Sequence, residues 1–274
     1  MNTRKLSIFV GMWLCMLALP CLGGDSLWEP FRDTPSPEAA HALLKGMPSE
    51  DILRLCREYG ALVDAGAEPA EAPVIPMAVS VLDARGDLSQ DTFLAVLGDA
   101  TAPTYWRALC AEWCADSSFL TPLEQLSIDT AFHSLTGVLH DVHAPDALRE
   151  TAAVAAGKLL RDGYFWVYCS SAGKKPIQDK ADLANIRNQQ GPVFVQHDAR
   201  VDRFFELLMG DLPEMVRLRG VSWVWRIADV RGEKTPRIRA MQRFLEKKAA
   251  GGSRTQADKK YRFAEDRLGR HLRQ

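Results

Sequence analysis

Apolar residues recur every three to four positions along most of this chain, the spacing that lines one face of an α-helix. The run Leu123, Leu126, Ile128, Ala131, Phe132, Leu135 and Leu139 keeps that period to about residue 140. Thr121-Pro122-Leu123-Glu124 opens it with a capping hydroxyl, a proline in the first turn and an acid at the third helical position. Ser36-Pro37-Glu38 starts a shorter helix to about residue 45. Ser49-Glu50-Asp51 starts another, with Ile52, Leu53, Leu55, Cys56 and Tyr59 as its apolar face, and the two are expected to pair as a capping hairpin. Further helices are predicted over 74–82, 89–97, 103–115, 145–160, 202–209, 213–228 and 236–248. The last would turn Ile238, Met241, Phe244 and Leu245 inward. The fold class expected is all-α.

Three of these helices share one plan. Pro103-Thr-Tyr-Trp106-Arg107-Ala-Leu-Cys110-Ala111 is the first, Pro145-Asp-Ala-Leu148-Arg149-Glu-Thr-Ala152-Ala153 the second, and Pro213-Glu-Met-Val216-Arg217-Leu-Arg-Gly220-Val221 the third. Each reads proline, two spacers, a large apolar residue, arginine, two spacers and a small residue followed by a small or β-branched one. Proline suits the first helical turn, where its missing N–H costs nothing. The apolar residue and the small pair share a face, and small residues there let a neighbouring helix approach closely. The arginines lie 42 and then 68 residues apart. The first spacing fits one two-helix repeat unit, and the second fits one unit plus an insertion. An acid precedes each proline, Asp99 and Asp141 by four positions and Asp211 by two. Such an acid can cap the next helix or meet the arginine of an adjacent copy.

The middle copy carries a family resemblance. Leu148-Arg149-x-x-Ala152-Ala153-x-Ala155-Ala156-Gly157-x-Leu159 resembles the second helix of a HEAT repeat, with Ala156 where that family usually has leucine. The third copy departs further, with Trp223 and Trp225 in its small-residue region, and the first has Trp113 and Cys114. The resemblance extends loosely over about residues 70–250. It implies a HEAT-like α-solenoid of antiparallel helix pairs, a fold that usually acts as a protein-binding scaffold. On that reading the organisation is an N-terminal linker with capping helices over 25–70, a helical repeat domain over 71–250 with an irregular insertion at 161–200, and a basic tail over 251–274.

The insertion holds Gly163-Tyr164-Phe165-Trp166-Val167-Tyr168, the densest aromatic cluster in the chain, and a short polar helix expected near 182–188. Insertions in repeat arrays map to loops on one face, often the binding face. Tyr164, Trp166 and Tyr168 are therefore candidate binding residues, together with Arg107, Arg149 and Arg217. The competing expectation is that these aromatics continue the preceding helix and fill the groove beneath it.

Charge and the N-terminus add location. Residues 1–24 read as a secretory signal peptide: Arg4 and Lys5, an almost wholly apolar run from 6 to 22, Pro20, and Gly23-Gly24 before Asp25. The chain is expected to be exported, to the periplasm or the extracellular space, with an N-terminal membrane anchor as the alternative. Formal net charge is −1, which conceals an asymmetry. Residues 234–274 carry 13 basic and 4 acidic side chains, whereas residues 6–233 carry 19 basic and 31 acidic. The tail at 251–274 is expected to be mobile or a loosely docked helix, and an anionic membrane surface is one contact it suits. Export argues against a nucleic-acid partner.

Chemistry is sparse. His140 and His143 have metal-like spacing, but zinc needs three or four ligands and no second cluster lies near in sequence. The pair also falls in the acid-containing turn. No cofactor is expected. Cys56, Cys110, Cys114 and Cys169 remain after signal cleavage, as up to two disulfides with three possible connectivities, Cys110 and Cys114 sharing a helix and not readily pairing together, or as small buried apolar residues. No Gly-x-Ser-x-Gly elbow, phosphate loop or dinucleotide fingerprint is present. The function expected is protein binding through the groove of second helices and the aromatic insertion. The alternative is an exported enzyme sited in 161–200, using His140, His143 or His197, for instance Ser170 or Ser171 with His197.

Overall fold

A computed structural model describes residues 26–32, 34, 36–68, 74–115, 125–172, 191–231, 235–250 and 256–273, with side chains placed except at 125–127, 165–172, 191–193, 271 and 273. The described residues are all-helical, with no strand. The helices are α1 (Glu29–Arg32), α2 (Pro37–Gly46), α3 (Ser49–Asp64), α4 (Val74–Arg85), α5 (Gln90–Gly98), α6 (Thr104–Trp113), α7 (Gln125–His140), α8 (Asp146–Ala172), α9 (Gly191–Met209), α10 (Glu214–Arg231), α11 (Pro236–Ala249) and α12 (Gln256–Arg273).

Local chemistry sets most of the helix starts. Ser36, Ser89 and Thr235 are N-caps whose hydroxyls accept from Ala39, Thr92 and Ile238 N–H groups, each at 3.3 Å. Pro103 and Pro213 sit at or beside the first helical residue of α6 and α10, as their fixed φ favours. Ser49 is not a cap. Pro48 holds that position, and the Ser49 hydroxyl donates to Asp87 instead.

Helices adjacent in sequence pack as pairs: α5 on α6, α7 on α8, α9 on α10 and α11 on α12. The second members also contact one another in series, α3 with α6, α6 with α8, α8 with α10 and α10 with α12. First members do likewise for α5 with α7 and α9 with α11. Small residues permit these approaches. Cys110, Ala111, Ala152, Ala153, Gly220 and Val221, the small positions of the shared plan, are all buried. Gly157 of α8 faces Trp223 of α10 so closely that an added Cβ would lie 2.5 Å from the indole. A Cβ at Gly60 of α3 would lie 3.0 Å from the Cβ of Trp106 in α6.

Three segments differ from the sequence expectation. The region expected to break the pattern is helical at both ends, because α8 continues to Ala172 and α9 begins at Gly191. Its middle, including the helix expected at 182–188, lies outside the described residues. The stretch expected to open as a linker is docked: Trp28 and Phe31 are buried, and the Trp28 ring centroid lies 4.6 Å from that of Tyr59. The basic tail contains α12, whose Tyr261, Ala264 and Leu268 are buried against α10 and α11. Its polar residues conceal an apolar stripe at helical spacing, and burial of that stripe holds it down.

Candidate functional site

The shared arginine has a structural role that repeats in each copy. Arg107 donates from Nε and Nη2 to the Leu97 carbonyl at 3.1 and 3.0 Å. Arg149 makes the same pair of bonds to the Leu139 carbonyl at 3.3 and 3.0 Å. Arg217 donates Nε to the Leu208 carbonyl at 3.0 Å and Nη2 to that of Gly210 at 2.9 Å. In each case the acceptor belongs to the C-terminal end of the preceding helix, where the last carbonyls lack intrahelical partners and the helix dipole is negative. A planar cation with five donors suits that end. The three side chains are only 7%, 7% and 8% exposed, so their guanidiniums face hairpin interiors rather than a groove.

The acids shape turns more than they pair with the shared arginines, although Asp99 does meet Arg57 of α3 at 3.1 Å. Asp99 and Asp141 each accept the backbone N–H two residues on, from Thr101 and His143, both at 2.9 Å, and so shape the two turns identically. Arg149 and Arg217 meet acids of their own helices, Asp146 at 3.6 Å and Glu214 at 2.6 Å. One ion pair, Arg219 with Glu150 at 2.9 Å, does join two copies. Asp64 caps the start of α6 from the end of α3, accepting from the Thr104 and Tyr105 N–H groups at 2.6 and 3.0 Å. Arg85 caps the end of α2, donating to the Met47 and Lys45 carbonyls at 2.8 and 2.9 Å. α4, which has no arginine in its first turns, thus carries one at its other end.

Tyr164 is the hub of a buried polar network joining four helices. Its hydroxyl donates to Asp198 at 2.6 Å, and its ring lies edge-on to His197 with centroids 4.4 Å apart. His197 bonds the Leu160 carbonyl through Nε2 at 2.8 Å and meets Arg200 Nη1 at Nδ1, 3.4 Å away. A carbonyl only accepts and a guanidinium only donates, so the proton sits on Nε2 and the ring is neutral. Burial pushes its pKa down to about 4; Arg200 and Arg231 add to the depression, and the Leu160 carbonyl and Asp129 oppose it. Arg200 pairs with Asp129 of α7. Arg231 of α10 pairs with Asp202 at 2.6 Å and Asp198 at 3.4 Å. A hollow of about 580 Å³ lies outside the Asp129–Arg200 end, and one of about 540 Å³ outside the Arg231–Asp202 end. A neutral, 1% exposed imidazole bonded on both nitrogens locks α8 to α9, with no nitrogen left for proton transfer. The side chains of Trp166 and Tyr168, and of Ser170 and Ser171, lie outside the described residues, although all four positions are helical.

His140 and His143 are exposed, and the turn they flank is the one Asp141 organises. Among the described residues no group of three or more His, Cys, Asp or Glu side chains is placed to hold a metal ion. Cys56, Cys110 and Cys114 are free buried thiols. Burial pushes the pKa of Cys56 and Cys114 up to about 12, and raises Cys110 too. Cys169 has its side chain outside the described set. No helix among the described residues is long and apolar enough to cross a membrane, and residues 1–25 lie outside that set.

The sequence reading missed two features. His197 falls on the apolar face of α9 with Phe194, Val201, Phe204, Phe205 and Leu208, and a polar residue in such a row is the signal that a buried network exists. The second is a set of arginines stacked on aromatic rings, Arg226 on Trp223 and Trp225, and Arg267 on Trp225 and Phe263. Arg226 lies three residues from Trp223, and Arg267 four from Phe263, a helical spacing the sequence does show; only the Arg267–Trp225 contact joins residues distant in sequence. No family model, curated protein or solved structure matches this chain.

Proposed function

We propose that this chain is a HEAT-like α-solenoid that binds another protein through the face formed by its second helices, α6, α8, α10 and α12. The observation that carries the reading is the equivalence of Arg107, Arg149 and Arg217. Each is buried, stands at the start of a second helix and bonds the closing carbonyls of the helix before it, nine or ten residues upstream. Equivalent hairpins whose second helices touch in series favour stacking as repeats, and stacked repeats generate extended surfaces suited to proteins. The depressed, fully bonded His197 favours binding over catalysis at 161–200. We also propose export, on the apolar run at 6–22 with cleavage near Gly23 or Gly24, which N-terminal sequencing of the mature protein tests.

Photo-crosslinking in the native cell tests the binding face. A benzophenone side chain is placed at Val154 or Ser222, on second helices, and at His133 or Glu206, on first helices. A single discrete adduct from the second-helix positions is the expected result. Adducts from the first-helix positions alone, or none at all, would sink the reading.

A further inference from the structure

Five side chains on α10 and α12 form a continuous ladder on the proposed binding face. The Arg226 Cζ lies 4.8 Å from the Trp223 ring centroid and 5.3 Å from that of Trp225. The Arg267 Cζ lies 5.5 Å from the Trp225 centroid and 5.1 Å from that of Phe263. The order is therefore Trp223, Arg226, Trp225, Arg267, Phe263. Trp223 is anchored against Gly157 of α8, and Phe263 is 54% exposed. Both arginines are exposed, and neither has a carboxylate at ion-pair distance among the described residues. This contrasts with Arg219 on the same helix, which is neutralised by Glu150.

We propose that this ladder is the docking site for an acidic polypeptide segment. The inference rests on the second-helix face being the contact surface, and it adds where on that face and to what. Three observations select the partner. Guanidiniums held on aromatic rings keep their N–H edges outward and pre-ordered, the arrangement that accepts carboxylates in bidentate geometry. The surrounding segment 234–274 carries 13 basic and 4 acidic residues, a field that draws acidic chains in. Tryptophan and arginine are also the residues that most often dominate protein interfaces. Nucleic acid is disfavoured because the indole faces that would stack on bases are already covered by guanidiniums. A lipid surface is disfavoured because the apolar stripe of α12, Tyr261, Ala264 and Leu268, faces the protein interior.

The test uses the full mature chain and a fluorescein-labelled oligoglutamate peptide, read by fluorescence anisotropy. Oligoglutamine, a single-stranded oligonucleotide and phosphatidylglycerol vesicles are the comparisons. Arg226→Gln with Arg267→Gln should weaken oligoglutamate binding by roughly tenfold or more. Lys259→Gln with Lys260→Gln removes the same charge from exposed positions of α12 outside the ladder, and should weaken it by less than about threefold. Arg226→Lys with Arg267→Lys keeps the charge and loses the planar stack, and should fall between the two. Equal losses in the glutamine pairs, no preference for oligoglutamate over oligoglutamine, or tighter ladder-dependent binding of oligonucleotide or vesicles would each overturn the proposal. A second-helix crosslink that survives the ladder substitutions would also overturn it while leaving the scaffold reading intact.

Discussion

Replacing Arg149 with methionine probes the role assigned to the repeated arginine. Methionine keeps the length and apolar stem of the side chain and removes the fork of donors. Arg149 is 7% exposed, and both of its bonds at 3.3 and 3.0 Å end on one oxygen, the Leu139 carbonyl. A charged donor contributes roughly 1.5–3 kcal/mol net to a neutral acceptor, and two donors sharing an oxygen count for little more than one. Loss of a cation at the end of α7 adds about 0.3–1 kcal/mol. Relief of the buried charge recovers part of this, because a well-packed apolar replacement no longer has a guanidinium to desolvate. The expected net loss is about 2–3 kcal/mol. Urea unfolding followed by circular dichroism reads it as a lower midpoint at unchanged slope. Arg107→Met, with the same two-bond geometry, should match within about 1 kcal/mol. Arg217→Met should cost most, since that side chain bonds the Leu208 and Gly210 carbonyls and Glu214. A loss below about 0.5 kcal/mol for Arg149→Met, or a smaller loss for Arg217→Met than for either of the others, refutes the shared role.

Three further outcomes are expected. Gly157→Ala forces a Cβ to within 2.5 Å of the Trp223 indole and should destabilise by about 1–3 kcal/mol, whereas Gly137→Ala, exposed within α7 with nothing within 4 Å, should stabilise by about 0.5–1 kcal/mol; thermal melts compare the two. His197 has its folded pKa pushed down to about 4, against about 6.5 when unfolded, so the unfolded chain takes up the proton first. Its contribution is whole above about pH 6.5 and is lost as pH falls toward 4, by about 3 kcal/mol in all; urea midpoints across that window should fall less steeply for His197→Gln than for the native chain. The thiols of Cys56, Cys110 and Cys114 should stay inert to Ellman's reagent in the native protein and react together in denaturant, and fast native labelling of any one would contradict their burial.

The helices themselves were legible because their signals are local. Ser36 capping Ala39 and Thr235 capping Ile238 span three residues, and the 3.6-residue period of α7 and α11 needs no distant partner. The arginine plan was legible as a repeat, but its task was not, because its acceptors lie nine or ten residues back and are brought close only when each hairpin folds. The aromatic run at 164–168 left two readings open, a binding loop or a continuation of the preceding helix. The helix runs on to Ala172 and Tyr164 is buried, but its partner Asp198, 34 residues away, had no local signal. The tail looked solvated, since its stripe of Tyr261, Ala264 and Leu268 is sparse among charges until α10 and α11 supply a face to cover it.

Sequence alone determined the all-helical class, many of the helix starts and the recurrence of a proline-led, arginine-bearing helix, because each depends on neighbours within a turn or two; α9 begins eleven residues before its expected start at 202, and α1 and α12 had no expected start. Only the tertiary structure decided which charges are buried and which aromatic–arginine contacts bridge separate helices. Those outcomes depend on helix separations that let Arg200 reach Asp129 across 71 residues of chain, and Arg267 reach Trp225 across a hairpin.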